Sequence, residues 1–365
     1  MNSESTGAVI RFSSVIGTIV GLYLIAVYAF GASHGDSGIL HFGRDDILPG
    51  DLAILSATLA LVAYLIRTLI LSVGGSAFAI ISHDFRNKIT ASNVISAIAI
   101  WLCFAGVMLA YTPMKSMIAN VRGFPLDHAL AGLDRDLFGM DAWRITNPVF
   151  GSPLVMAFLQ FCYTLWFLLM WCSIIFSMFL GRKVLRWRYS IAFFLCWILI
   201  GSLAAYLLAS AGPCFYDLAF HDPHFSDLMD HLRRSDAVLR QISPKLGLQS
   251  LDVQNMLWNG YVNHTDEFGI GISAMPSMHV ASSCLMALGA YQISKPLGRA
   301  MAVFAALIWI GSIQLGWHYA VDGIVGAAMT FAIWRMAGAI TTRFILREAG
   351  GAASAAPDAE VVPVR

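Results

Sequence analysis

The chain has 365 residues, of which 58% are hydrophobic and 12% charged, with a formal net charge of +1. A soluble domain carries about 25% charged residues, and the deficit runs the whole length of this chain. That excludes a soluble domain with one anchor, gives no reason to expect a nucleic-acid partner, and points to an integral membrane protein.

A membrane-spanning helix needs about 20 mostly apolar residues. The sequence predicts eight, at 12–31, 51–73, 94–112, 152–180, 189–211, 275–293, 300–317 and 318–339. The fold expected is therefore all-α: a polytopic membrane helix bundle with interfacial helices in its outer loops. The first segment follows Arg11 and ends in small residues near Ser33, like a signal-peptide cleavage site. A retained helix is expected, because an even number of spans fits the charge pattern. The last two spans nearly touch across Gly316-Trp317-His318, which predicts a tight turn there.

Basic residues in short loops set orientation. The stretch 181–188, GRKVLRWR, holds four basic residues and no acid; Arg86, Lys88, Lys295, Arg299, Arg343 and Arg347 fall on the same side. Threaded through eight spans, and with Asp322 counted apart, that side collects 14 basic and 5 acidic residues and the other 9 and 16. Both termini are expected in the cytoplasm. The run GRKVLRWR is a topology signal that also suits anionic lipid.

The outer side carries the long connections 113–151 and 212–274. The first includes FPLDHALAGLDRDLFGMDAW, which alternates apolar and charged residues at helical spacing, as interfacial helices do. The C-terminal tail is small, polar and expected to be disordered. Three units follow: an N-terminal helix pair over 1–93, a catalytic membrane domain over 94–345, and a cytoplasmic tail over 346–365.

Two stretches carry chemistry. In GWHYAVDG, His318 and Asp322 are four apart and share one helix face, with Cβ atoms about 5–6 Å apart. A carboxylate there fixes the imidazole tautomer and raises the basicity of the other nitrogen, which makes a nucleophile or a base. In ISAMPSMHVASS, His279 opens another span at the same membrane side. Pro276 suits a first helical turn, and the free N–H groups there favour an anion, to which Ser277 adds a hydroxyl. Ionisable groups inside membrane segments cost at least about 2.5–3.5 kcal/mol at the bilayer centre, so such a set asks for a function.

Other residues read two ways. Lys115 and Arg122 suit snorkelling to head groups or binding of a phosphate. Tyr319 and Tyr216 suit an aromatic belt or a substrate contact. His221, His224, His231 and His264 include an HxxH spacing but no third ligand at helical spacing. The six cysteines show no CxxC, and five lie in apolar segments where cysteine is a small hydrophobe. No metal site, cofactor or disulfide framework is expected.

PSMH at 276–279 resembles the PSGH motif of the type-2 phosphatidic acid phosphatase superfamily, and HYAVD at 318–322 resembles the end of its last motif. Histidine–tyrosine spacing, with GPCFY at 212–216, looks like the branch of inositol phosphorylceramide synthase and sphingomyelin synthase. The resemblance covers roughly residues 94–340. It implies that His318 attacks phosphorus, that Asp322 orients it, and that His279 protonates the leaving oxygen, with no metal.

Two departures stand out. The arginine-led phosphatase motif would place Arg at 312, where this chain has Ser312, and Gly123 follows Arg122 where the family's lysine motif has proline. Loss of a cation favours a singly charged diester over a phosphomonoester, although Arg233, Arg234, Arg240 or Lys245 could replace it. Met278 stands where the phosphatases have glycine.

Three functions follow as expectations. The first is a phosphotransferase moving a phosphorylated head group, inositol phosphate by resemblance, from a phospholipid to a lipid alcohol such as ceramide. The second is a hydrolase using water, acting on a lipid phosphate or polyprenyl diphosphate. The third is a non-catalytic lipid transporter. The setting expected is a bacterial inner membrane with the site facing the periplasm.

Overall fold

The computed structural model describes residues 3–35, 90–263 and 271–346, with isolated positions 58, 68 and 76. The predicted span 51–73, the Arg86–Lys88 stretch, His264 and the tail lie outside them. Among the described residues every regular element is helical, as the composition predicts. In chain order they are α1 (Ser3–Ser33), α2 (Ala91–Arg122), α3 (Asp127–Phe138), α4 (Ala142–Phe150), α5 (Pro153–Met178) and α6 (Lys183–Leu195). Then follow α7 (Ser226–Ile242), α8 (Gln249–Val262), α9 (Met278–Ile293), α10 (Lys295–Gln314) and α11 (Ala320–Ile340). Among the described residues six helices are long and apolar enough to cross a membrane: α1, α2, α5, α6 continued to Leu207, α10, and α11 continued to Leu346. The chain is an all-α membrane bundle. The predicted span 275–293 is the apolar α9, shorter at 16 residues.

Helix ends follow local chemistry. Thr90, Ser277 and Ser294 cap α2, α9 and α10, each side chain accepting a backbone N–H of the first turn. Pro153 and Pro296 sit in first turns, where no N–H is needed. Two predicted boundaries move. α2 runs ten residues beyond 112, through Pro113, before Gly123 ends it at φ 61°, so Lys115 and Arg122 ride on a spanning helix.

GRKVLRWR is mostly helix and not loop, since Lys and Arg are good helix formers and find fixed partners here. Arg186 is buried and donates to the Leu180 carbonyl and to Asn93 Oδ1. Arg188 stacks on Trp334 at 4.0 Å and donates to its carbonyl.

α9, α10 and α11 form the heart of the bundle. Close approach of α9 to α11 depends on Gly326, where a Cβ would lie 2.8 Å from the Ser277 carbonyl oxygen. Thr330 Oγ1 donates to the Ala281 carbonyl at 3.1 Å across the same seam. Trp309 of α10 packs on Gly323 and donates from its indole N–H to the Ala320 carbonyl at 2.9 Å. α1 packs along α2, and Arg11 closes the other end of the bundle by donating to the Ile345 carbonyl.

The two long connections fold into helices that cover one end of this heart. Thr146 of α4 donates to Gln314 Oε1, and Gln314 Nε2 donates to Asn147 Oδ1. Gln254 of α8 donates to the Leu315 carbonyl at 2.9 Å. These bonds pin the tight turn between α10 and α11, where Gly316 takes φ 78°, a value that favours glycine.

Candidate active site

His318 lies just before α11. Its backbone N–H donates to the Ser312 carbonyl, which also accepts from Trp317, so the turn presents the imidazole at a fixed height. Nδ1 lies 3.2 Å from Asp322 Oδ2. That oxygen also accepts the Tyr319 N–H at 3.1 Å. An ionised carboxylate can only accept, so Nδ1 is the protonated nitrogen in this contact. Asp322 is fully buried, and its Oδ1 has no hydrogen-bond partner among the described residues.

His279 arrives from the first turn of α9, one residue past Met278. The Ser277 N–H donates to the Asp322 carbonyl at 3.1 Å, which ties the two helix starts together. The His279 and His318 rings stand 6.2 Å apart, centroid to centroid, with no hydrogen bond between them. One face of α5 cradles His279. Tyr163 stacks on it at 4.4 Å, Trp166 lies at 4.1 Å, and Phe167 meets it edge-on at 6.0 Å. Positions i, i+3 and i+4 share a helix face. The Trp166 indole is held in turn by Ser282 Oγ at 2.9 Å.

Lys115 of α2 lies within electrostatic range of His279. Its backbone is approached closely by Gly271, where a Cβ would lie 3.0 Å from the Lys115 carbonyl. Arg122 is exposed two turns further along α2, over the Tyr206 ring at 5.4 Å. Ser277 is buried, its hydroxyl accepting the Val280 N–H as a cap. The Tyr319 hydroxyl donates to Asp127 Oδ1 at 2.8 Å. Tyr216 shares a short hydrogen bond with His128 and is ringed by Phe220, His224 and Phe225. Thus the structure brings together His279, His318 and Asp322, with Lys115 in electrostatic range of His279. Ser277 and Tyr319 serve this centre through the backbone, and Arg122 and Tyr216 stand outside it.

Two of the four outer cations are engaged elsewhere, while Arg234 and Lys245 are exposed. Arg233 pairs with Asp230, and Arg240 with Asp236 and Asp252. Two of the outer histidines are likewise committed, His224 to Asp141 and His231 to the Gly151 carbonyl. Ser312 is buried and donates to the Trp309 carbonyl in its own helix.

Two residues that sequence reasoning missed hold the site from α3. Asp134 accepts the N–H groups of Ala320 and Val321 at 2.7 and 2.9 Å, capping α11. Asp127 accepts those of Ala211 and Gly212, both at 2.8 Å, together with the Tyr319 hydroxyl. Gly212, the first residue of GPCFY, is at φ 93° with the Trp317 carbonyl where a Cβ would sit. The Cys214 N–H donates to the Gly316 carbonyl. Burial pushes both carboxyls above the ordinary aspartate value, against the pull of their hydrogen bonds. The sequence signal was Asp127-x6-Asp134, two acids one heptad apart on one face of an amphipathic helix.

Met278 also finds a place. It packs on Gly201 of α6, in a segment that widens to π-helical bonding over Cys196–Ala204. A Cβ on Gly201 would lie 3.3 Å from the Met278 sulfur and 2.9 Å from Tyr111. The space a glycine at 278 would leave is thus filled, and a glycine in the facing helix makes room.

A buried carboxylate–imidazole pair facing a second imidazole can support nucleophilic attack with general acid–base assistance. Comparison with curated proteins and with solved structures returns no match. A family model, the PAP2 superfamily, matches residues 128–336, more than half of the chain, taking in His279, His318 and Asp322 and leaving Lys115 and Arg122 outside. The chain is a member of the PAP2 superfamily.

Proposed function

We propose that the protein is a membrane phosphotransferase that moves a phosphorylated head group from a phospholipid to a lipid alcohol, of which ceramide is one. The observation that carries this reading is the meeting of His279 with the His318–Asp322 pair. His318 Nε2 attacks phosphorus, and the bond to the diacylglycerol oxygen breaks. That oxygen takes a proton from His279. The acceptor hydroxyl then gives its proton to His279 and attacks the phosphohistidine, releasing His318. Asp322 holds the Nδ1 proton throughout and stabilises the charge on the ring. Lys115 supplies a positive charge for the phosphoryl oxygens.

A diester carries one negative charge and a monoester nearly two. Ser312 in place of arginine, its hydroxyl turned back to Trp309, supports the diester as donor. Inositol phosphate as head group follows only from the resemblance to the synthase branch. We place the site on the periplasmic side of a bacterial inner membrane, because the basic ends of α6 and α10 lie at the opposite end of the bundle from His279 and His318. The helices from residue 94 onward form the catalytic unit.

Purified protein given labelled phospholipid, with and without ceramide, tests this reading. Labelled head group on ceramide is the expected product. Free phosphorylated head group or phosphate at full rate without ceramide would establish the hydrolase that superfamily membership also supports. No turnover of any lipid phosphate would leave a transporter.

A further inference from the structure

We propose that Tyr163 is a catalytic residue of this site, donating its hydroxyl to a phosphoryl oxygen where the arginine-led motif would supply a cation. The proposal rests on the reading of His318 as nucleophile. Its starting point is the surface of α10 at positions 311 and 312. Ser312 is buried and spends its hydroxyl on the Trp309 carbonyl. Gly311 has no side chain. A Cβ there would lie 3.6 Å from Tyr163 Cδ2, an ordinary contact. The Tyr163 ring therefore lies against α10 at Gly311, the residue before Ser312.

The same ring stacks on His279, 4.4 Å between centroids and 23° between planes. Its hydroxyl is buried and has no hydrogen-bond partner among the described residues. It lies within electrostatic range of Cys214 and of Asp322. A partnerless buried hydroxyl is costly, and alone it makes no site. The independent observation is its position, stacked on the proton-transferring histidine and packed against the residue that precedes Ser312. Substrate oxygen arriving between His279 and His318 would satisfy it.

The chemistry also fits the donor class. Arginine offers a charged fork suited to a doubly charged phosphate. A tyrosine offers one neutral donor, enough for a singly charged diester, with less penalty from an uncompensated charge in an apolar bundle. Stacking on His279 fixes the ring, so donation to a phosphoryl oxygen costs little ordering.

Tyr163→Phe tests this, since it deletes one oxygen and keeps the ring. Turnover of a phospholipid donor, inhibition by orthovanadate, the pH–rate profile and thermal unfolding are measured on purified wild-type and variant protein. The expected result is a fall in turnover of about 10- to 100-fold, the loss of one hydrogen bond to a charged group. Vanadate inhibition weakens by a similar factor, while the pH profile holds and the unfolding temperature holds or rises, since the free protein loses a partnerless buried hydroxyl. Wild-type turnover and vanadate inhibition in the variant would overturn the proposal. A loss of turnover with unchanged vanadate inhibition and a shifted pH profile would also overturn it, making Tyr163 a positioning residue for Asp322. His318→Ala separates the two levels: full turnover in that variant rejects the underlying site, whatever Tyr163 does.

Discussion

Asp134 accepts the backbone N–H of Ala320 at 2.7 Å, joining positions 186 residues apart in sequence. With Val321 as second donor, one carboxylate satisfies two of the first N–H groups of α11, which every helix start leaves open. Asp322 follows directly, so the cap also fixes the partner of His318. Asp134→Ala is expected to lower stability by about 1–3 kcal/mol, leaving two buried donors unpaired, and to lower turnover as well. Thermal unfolding in detergent, with a parallel assay, checks this; an unchanged unfolding temperature would contradict it.

The same carboxyl gives a pH dependence. Burial pushes Asp134 above its ordinary value of 3.8. Between that value and the raised one, the folded protein holds more protons than the unfolded chain. Stability therefore falls as pH rises through this window. Asp127 adds a slope of the same sign. Asp134→Asn should make the fall shallower without abolishing it, read as unfolding temperature against pH for wild type and variant. Parallel curves would contradict the assignment.

Gly201 and Met278 form the second lock. In Gly201→Ala the new methyl would meet Tyr111 and the Met278 sulfur, and overpacking of this kind costs about 1–3 kcal/mol. Pairing it with Met278→Ala should recover part of the loss, because one of the two collisions disappears. Purely additive losses in a double-mutant cycle would mean that the two side chains are not coupled.

Much of this was legible in the sequence. The apolar runs pointed to a membrane helix bundle, with six long apolar helices among the described residues, and PSMH and HYAVD each gather their candidate groups within four or five residues, although His318 lies in the turn before α11 and not on a helix face shared with Asp322. The clamp by Asp127 and Asp134 was not legible, because its partners are backbone N–H groups some 80 to 190 residues away. Tyr163 was hidden for a related reason: within α5 it is one aromatic among many, and only the approach of α9 shows which ring meets His279. Helix boundaries moved where basic residues found partners, as Arg186 and Arg188 did, since hydropathy counts their charge but not the carbonyls and aromatic face that satisfy it.

Asp322→Asn should keep the fold and lose activity. The amide can offer an N–H to the histidine and so favours the wrong tautomer, a change expected to cost about two to four orders of magnitude in turnover. His279→Ala should be comparably slow, with part of the rate restored for donors whose leaving oxygen needs no proton. Steady-state assays on both, with unfolding temperatures as controls, check these. Full activity in either variant would contradict the roles of Asp322 as orienting carboxylate and His279 as proton donor.

The central claim is a covalent phosphohistidine on His318. Protein incubated with a phospholipid labelled in its phosphate, stopped rapidly under alkaline denaturing conditions that spare phosphoramidates, and digested for mass spectrometry, tests it most directly. The account predicts label on the peptide carrying His318, lost on mild acid treatment, absent in His318→Ala, and accumulating in wild type when the acceptor alcohol is withheld. Turnover with no labelled histidine, or label that persists in His318→Ala, would contradict it.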